Sequence, residues 1–204
     1  MSSDTTPGGI PVGVSNRHLH VSKEDLHALF GEGYELTKTK DLGQPGQYAC
    51  AETVTIVGPK GSFEGVRILG PVRGQTQVEI SRTDSFRLGV APVVRESGSL
   101  KGSPGLTIKG PRGTVEIREG CILAKRHIHM TPEDAEKYGC RDGDIVSIAV
   151  AEGDRRTVFG DVIVRVSPKY ALECHVDTDE ANASCLSTGD TVELVNPPAG
   201  RGSP

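Results

Sequence analysis

Four of the chain's six histidines fall in two short motifs. Arg17-His18-Leu19-His20 and Arg126-His127-Ile128-His129 both read Arg-His-apolar-His. In an extended strand, residues i and i+2 project from one face, roughly 6.5–7 Å apart. Two imidazoles held that way can converge on one metal ion at about 2.0–2.1 Å. A duplicated turn motif whose histidines only hydrogen-bond is the plainer alternative. Two copies in matching contexts weigh against it.

A metal site with an open position usually has three protein ligands, so each histidine pair is one short. Carboxylates are the expected complement, and Glu52, Glu79, Asp177 and Glu180 are all candidates on composition and spacing. His175, in Glu173-Cys174-His175-Val176-Asp177, lies on a predicted strand; His27 falls inside a predicted helix and reads as structural. Imidazole-rich ligation favours Zn²⁺, and Co, Ni or Fe would also fit. A second feature is Gly70-Pro71-Val72-Arg73-Gly74, a turn in which Arg73 could fork onto a phosphate or carboxylate. Arg82, Arg87 and Arg95 follow it, a basic stretch suited to an anionic substrate.

The elements that must position these residues are mostly short strands. Ile10–Val14, Glu52–Val57, Phe63–Leu69, Gln75–Ile80, Leu106–Lys109 and Thr114–Arg118 are β-rich runs bounded by Gly or Pro. Ile145–Ala151, Arg156–Val166, Ala171–Val176 and Thr191–Val195 read the same way. Helices are predicted after Ser22, an N-cap, and after Thr131, with Pro132 at the first helical position. They stop near Gly31 and Gly139, and Ser81–Leu88 and Asp177–Ser184 are weaker helix candidates.

The histidine motifs are the centre of an internal repeat. Arg17–Asp25 aligns with Arg126–Asp134, and each copy leads from His-x-His into a capped helix. Asp142-Gly143-Asp144 resembles Thr188-Gly189-Asp190, both being turns that feed strands. The reading is mainly β: two small β-barrel domains with short capping helices, related by the repeat. Residues 10–122 form the first and 123–196 the second, with 1–9 and 197–204 as disordered tails. Either barrel can take the strand at 10–16.

Composition excludes some functions. The formal net charge is −4, against the basic face a nucleic-acid binder needs. Trp is absent, with four Tyr and four Phe, so stacking platforms for single strands are scarce. No apolar run approaches a membrane span. Five cysteines without a Cys-x-x-Cys spacing read as reduced, buried thiols of an intracellular protein.

The chain resembles the PduL-type phosphotransacylases, the phosphate propanoyltransferase family of bacterial acyl-CoA metabolism. The resemblance runs from about Ile10 to Val195. It rests on Val14-Ser15-Asn16-Arg17-His18-Leu19-His20 and on Gly70-Pro71-Val72-Arg73 through Glu79-Ile80-Ser81. Lys125-Arg126-His127-Ile128-His129 and Cys174-His175-Val176-Asp177 complete it. It implies two barrels with the active site between them and a dinuclear zinc centre, two Zn²⁺ per chain. By motif, His18, His20 and Glu79 would hold one zinc, His127, His129 and His175 the other, and Arg73 would bind phosphate.

The implied reaction converts a short-chain acyl-CoA, propanoyl-CoA or acetyl-CoA, and phosphate to acyl phosphate and CoA. Direct attack by phosphate without an acyl-enzyme is expected, so the cysteines stay out of the chemistry. Cys174 should point to the strand face opposite His175. The resemblance also implies a homodimer. MSSDTTPGG lacks the apolar face of a microcompartment-targeting helix. Either a free bacterial cytoplasmic enzyme or a chain from which a targeting segment has been removed is expected, with the microcompartment lumen as the alternative location. The rival functions are a zinc-dependent hydrolase of an anionic ester or phosphoester and a non-enzymatic metal-binding module.

Overall fold

A computed structural model describes residues 8–195. The segments expected to be tails, and the one weighed for a targeting helix, lie outside the described residues apart from Gly8 and Gly9. In chain order the structure opens with β1 (Ile10–Ser15), β2 (His18–His20), α1 (Lys23–Phe30), β3 (Lys38–Asp41) and β4 (Tyr48–Val57). There follow β5 (Ser62–Gly70), β6 (Gln77–Glu79), α2 (Arg82–Leu88), β7 (Val93–Arg95), β8 (Leu106–Lys109), β9 (Thr114–Ile117) and β10 (Cys121–Ala124). The remainder is β11 (His127–Met130), α3 (Pro132–Tyr138), β12 (Ile145–Val150), β13 (Thr157–Val166), β14 (Glu173–Asp177), α4 (Thr178–Ser184) and β15 (Thr191–Val195). The fold is mainly β, as the spacing of short strands and turns predicts.

Two compact units divide the chain, one at 15–125 and one built from 8–14 with 126–195. The second break keeps β10 whole, where the sequence reading divided the chain at 122/123. In the second unit six strands close a barrel in the order β1-β14-β11-β13-β12-β15. β1 closes it through Ile10 opposite Val192 and Pro11 opposite Thr191 on β15. Ile10, Val12, Ile128, Met130, Ile148, Val162, Val164 and Cys174 fill the interior. Alternation does the sorting: Ile128 and Met130 enter this core from one face of β11, and His127 and His129 occupy the other.

The other unit is a nine-stranded sheet in the order β7-β10-β6-β2-β5-β4-β8-β9, with β3 paired on β4. Among the described residues its path ends at β7 and β9. The expectation of a closed barrel thus holds for one unit, and the other carries a sheet. Its core is built by Leu19, Cys50, Val54, Ile56, Val66, Ile68, Val78 and Ile108, with Leu26 and Leu29 of α1.

The capping helices start where their sequences specify. Ser22 Oγ accepts from Asp25 N, and Ser81 and Asp84 form a reciprocal capping box at α2. Thr131 with Asp134 and Asp177 with Glu180 do the same at α3 and α4. Gly139 ends α3 at φ 65°, a left-handed conformation that glycine adopts without a Cβ penalty. No described helix is long and apolar enough to cross a membrane.

Candidate metal centre

The first histidine pair sits on a strand of only three residues. β2 runs between β5, parallel to it, and β6, antiparallel to it. Its register on β6 is His18 opposite Glu79, Leu19 opposite Val78 and His20 opposite Gln77. Leu19 and Val78, fully buried, turn into the core. The polar residues on either side of them along the two strands share the other face.

Backbone carbonyls fix both rings. His18 Nδ1 lies 2.8 Å from Asn16 O, and His20 Nδ1 lies 3.0 Å from Leu69 O. A carbonyl only accepts, so Nδ1–H donates in both cases, an arrangement that reserves Nε2 as the ligating nitrogen of a neutral ring. His18 Nε2 then stands 3.5 Å from Glu79 Oε2. Two lone pairs brought together in this way are what a cation satisfies. The ligand atoms of His18, His20 and Glu79 all lie within 4.8 Å of one another.

Burial lowers the His20 pKa to about 3, helped by the neighbouring His18 and the positive charge of Arg73. The ring is therefore neutral near pH 7, the state in which imidazole ligates. Arg73 is placed by its backbone, whose N–H donates to Val21 O at 2.8 Å. Its guanidinium Nη1 donates to Ser97 Oγ at 2.9 Å. It follows a cis Gly70–Pro71 bond at the end of β5.

The second pair lies in the barrel unit. β11 pairs antiparallel with β14, His127 opposite His175 and His129 opposite Glu173. The ring centroids of His127, His129 and His175 are 4.7, 4.9 and 5.1 Å apart, and their ligand atoms too fall within 4.8 Å of one another. His129 Nδ1 and His175 Nε2 are buried without a hydrogen bond. Glu173 Oε2 approaches His175 Nε2 to 2.9 Å, off the line a hydrogen bond requires. Buried, unbonded ring nitrogens are costly unless another partner takes the lone pair, and a metal ion is such a partner.

Burial, then the neighbouring His127, His175 and Arg165, bring the His129 pKa down to about 2. Gly13 of β1 faces this group. A Cβ there would come within 2.9 Å of Glu173 Oε1 and 3.4 Å of His175 Cε1, so any larger residue at 13 would push the Glu173 carboxylate from its place beside His175.

All six proposed ligands are thus gathered, three to a cluster. Three-ligand nitrogen and oxygen sets of this kind suit zinc in a catalytic setting. The competing carboxylates go elsewhere. Glu52 accepts from Tyr34 Oη at 2.9 Å and Thr37 N at 3.1 Å. Asp177 caps α4, and Glu180 accepts from Asp177 N and faces Arg126 at 3.4 Å.

Cys174 points away from His175 into the barrel core, where burial pushes its thiol up to about 12. His27 pairs with Glu32 at 3.2 Å and takes no part in either group.

The structure also extends the repeat. In each copy the first histidine opposes the third cluster member, and the same spacing follows that member. Glu79 leads through N-cap Ser81 to Asp84, and His175 through N-cap Asp177 to Glu180. Each acid then faces the arginine that precedes its histidine pair. Arg17 grips Asp84 in a two-bond fork at 2.7 and 3.0 Å, and Arg126 faces Glu180. Comparing Glu79-x-Ser-x-x-Asp with His175-x-Asp-x-x-Glu would have revealed this second repeat. The exchange of Glu for His at the third position hides it. Gln77 shares a strand face with Glu79 by alternation alone, whereas no motif gives Ser97 or Glu173 a role.

Comparison with known proteins gives the group a context. The phosphate propanoyltransferase family model matches residues 11–187. A phosphate propanoyltransferase of Thermotoga maritima is 66% identical over 187 residues, 92% of this chain and 89% of the relative. That of Priestia megaterium is 59% identical over 182 residues, 89% of this chain and 83% of the relative. The Lachnoclostridium phytofermentans protein of the same name is 53% identical over 194 residues, 95% and 90% of the two chains. The class common to these matches is acyl transfer, and the chain is an acyltransferase. Within that class, it belongs to the phosphate propanoyltransferase family.

Proposed function

We propose that this chain transfers the propanoyl group of propanoyl-CoA to inorganic phosphate, releasing CoA and propanoyl phosphate, and that each three-residue cluster holds one zinc ion. Acetyl-CoA is included as a shorter substrate of the same reaction. The names of the relatives support the reaction. The observation that carries the reading is the joining of Arg73 to the His18, His20 and Glu79 cluster through one hydroxyl. Ser97 Oγ accepts from Arg73 Nη1 at 2.9 Å and donates to Glu79 Oε1 at 3.3 Å. An anion-binding guanidinium and a cation-binding carboxylate are thereby held side by side.

Zinc bound at such a site supplies Lewis acidity, polarising a carbonyl or stabilising a thiolate. The protein groups do the rest. Arg73 offers a fixed, always-charged fork for phosphate and offsets part of its charge. Burial, then the neighbouring His18 and the charge of Arg73, keep His20 neutral. Inorganic phosphate carries between one and two negative charges near neutral pH and is its own nucleophile, so no strong base is needed. Acyl transfer to phosphate oxygen breaks the C–S bond and forms a C–O bond, with CoA leaving.

Metal analysis together with CoA release from propanoyl-CoA, with and without phosphate, tests the proposal. Two zinc ions per chain and phosphate-dependent release are expected. Release that needs no phosphate would replace the reading with a hydrolase. Metal without turnover on any acyl-CoA would make the chain a binding module.

A further inference from the structure

Gln77 is only 1% exposed. A buried amide destabilises the fold unless its hydrogen bonds are made. All of them are made to the neighbourhood of the first cluster. Its Oε1 accepts from Gly98 N at 2.7 Å. A backbone N–H can only donate, so this contact fixes which end of the amide is oxygen. Nε2 then donates to Glu79 Oε1 at 2.5 Å and to Ser97 Oγ at 2.8 Å. The two oxygens of Glu79 are divided between tasks: Oε1 receives Gln77 and Ser97, and Oε2 faces His18.

The second copy of the repeat holds an inverted version. Glu173 stands two residues before His175 and opposite His129, as Gln77 stands two before Glu79 and opposite His20. Where the third cluster member is a carboxylate, its partner is a neutral amide. Where it is an imidazole, its partner is a carboxylate, 2.9 Å away. Each pair contains one carboxylate.

We infer that Gln77 is the positioning residue of the His18, His20 and Glu79 centre, holding Glu79 so that a single oxygen faces the metal and tying it through Ser97 to Arg73. The inference rests on the metal reading proposed above and deepens it. Outer hydrogen bonds of this kind set both the orientation and the affinity of a site.

The test is competition of zinc-loaded full-length protein with a chromophoric chelator, together with absorption spectra after cobalt substitution. Gln77→Met keeps the side-chain length and loses every hydrogen bond. One of the two ions should bind ~10–100-fold more weakly, the cobalt spectrum should change, and the ion at His127, His129 and His175 should be unaffected. Gln77→Glu should weaken the same ion at least as much, because two carboxylates then meet at one point. Adding Glu79→His to Gln77→Glu rebuilds the pairing of the other copy. That double variant should bind the ion at least ~10-fold more tightly than Gln77→Glu alone.

Wild-type affinity for both ions in Gln77→Met overturns the inference and leaves the metal reading standing. If Gln77→Met does not fold, the comparison of Gln77→Glu with the double variant decides, and no gain overturns it. A wild-type chain that takes up no metal overturns both.

Discussion

His18 on β2 and Glu79 on β6 stand directly opposite each other in one antiparallel pair, with Nε2 and Oε2 3.5 Å apart. His127 on β11 and His175 on β14 repeat the relationship. Opposed residues of a strand pair share a face at about 4.5–5.5 Å between Cβ atoms. One histidine, its i+2 neighbour and its cross-strand partner are thus a compact three-point set that two short strands can make. The same set, made twice, places a different third residue in each copy.

Loss of a ligand should be felt one cluster at a time. His18→Ala leaves His20 and Glu79, and His129→Ala leaves His127 and His175. Each variant is expected to retain about one of two zinc ions and to release CoA from propanoyl-CoA at least ~100-fold more slowly. Elemental analysis beside the rate assay checks both. Full zinc and full rate in either variant would remove that cluster from the mechanism.

Arg73 should act on phosphate and leave the metal in place. Its side chain reaches Ser97, and its charge reaches His20 without entering the ligand set. Arg73→Ala is expected to raise the phosphate KM ~10-fold or more, the cost of a charge-assisted fork, with zinc content unchanged. Arg73→Lys should recover little of this, since an ammonium cannot reproduce the planar fork. A wild-type phosphate KM in Arg73→Ala would end the assignment.

The thiols should be dispensable. Cys185 is exposed, against the expectation that all five cysteines are buried, while burial raises Cys50 and Cys140 to about 11 and Cys121 and Cys174 to about 12, so none of these four is a thiolate near pH 7. Cys174, beside His175 in sequence, faces the core. Cys174→Ala is expected to keep the wild-type rate at a stability cost of about 1 kcal/mol. Initial-rate patterns should be sequential in both substrates. Ping-pong kinetics with an acyl group trapped on cysteine would contradict direct attack by phosphate.

Much of this was legible in the residues before the fold was seen. The i+2 histidines announced their own shared face, because strand alternation is a local property. Ser22, Thr131 and Pro132 announced their helices for the same reason. What stayed hidden depends on pairing. Choosing Glu79 over Glu52 needs the β2–β6 register, and the motif comparison alone had supplied it. Glu52 also lies on the buried face of its strand and differs only in meeting Tyr34 and Thr37. Ser97 lies in a loop after β7, far along the chain from Arg73 and Glu79. β2, β7 and β10 are three or four residues long, too short to show a period of two. The open path of the sheet unit, in place of a second barrel, is a property of its end strands.

Glu180 gives the stability a pH dependence whose sign can be worked out. Burial lifts its carboxyl from 4.5 to about 7, with Asp177 and Asp179 raising it and the Asp177 hydrogen bond and Arg126 opposing. Between these values the folded chain holds a proton that the unfolded chain has released. Folding therefore binds more protons in that window, and stability falls as pH rises from about 4.5 through 7. Once Glu180 is charged on both sides the loss is complete, at about 2–3 kcal/mol. Glu180→Gln keeps an oxygen for Asp177 N and cannot ionise. In urea unfolding of metal-free protein at pH 5 and pH 8, the wild type should lose about 2–3 kcal/mol more than Glu180→Gln over the same interval. Equal losses in the two proteins would show that Glu180 ionises in the fold as it does in the unfolded chain.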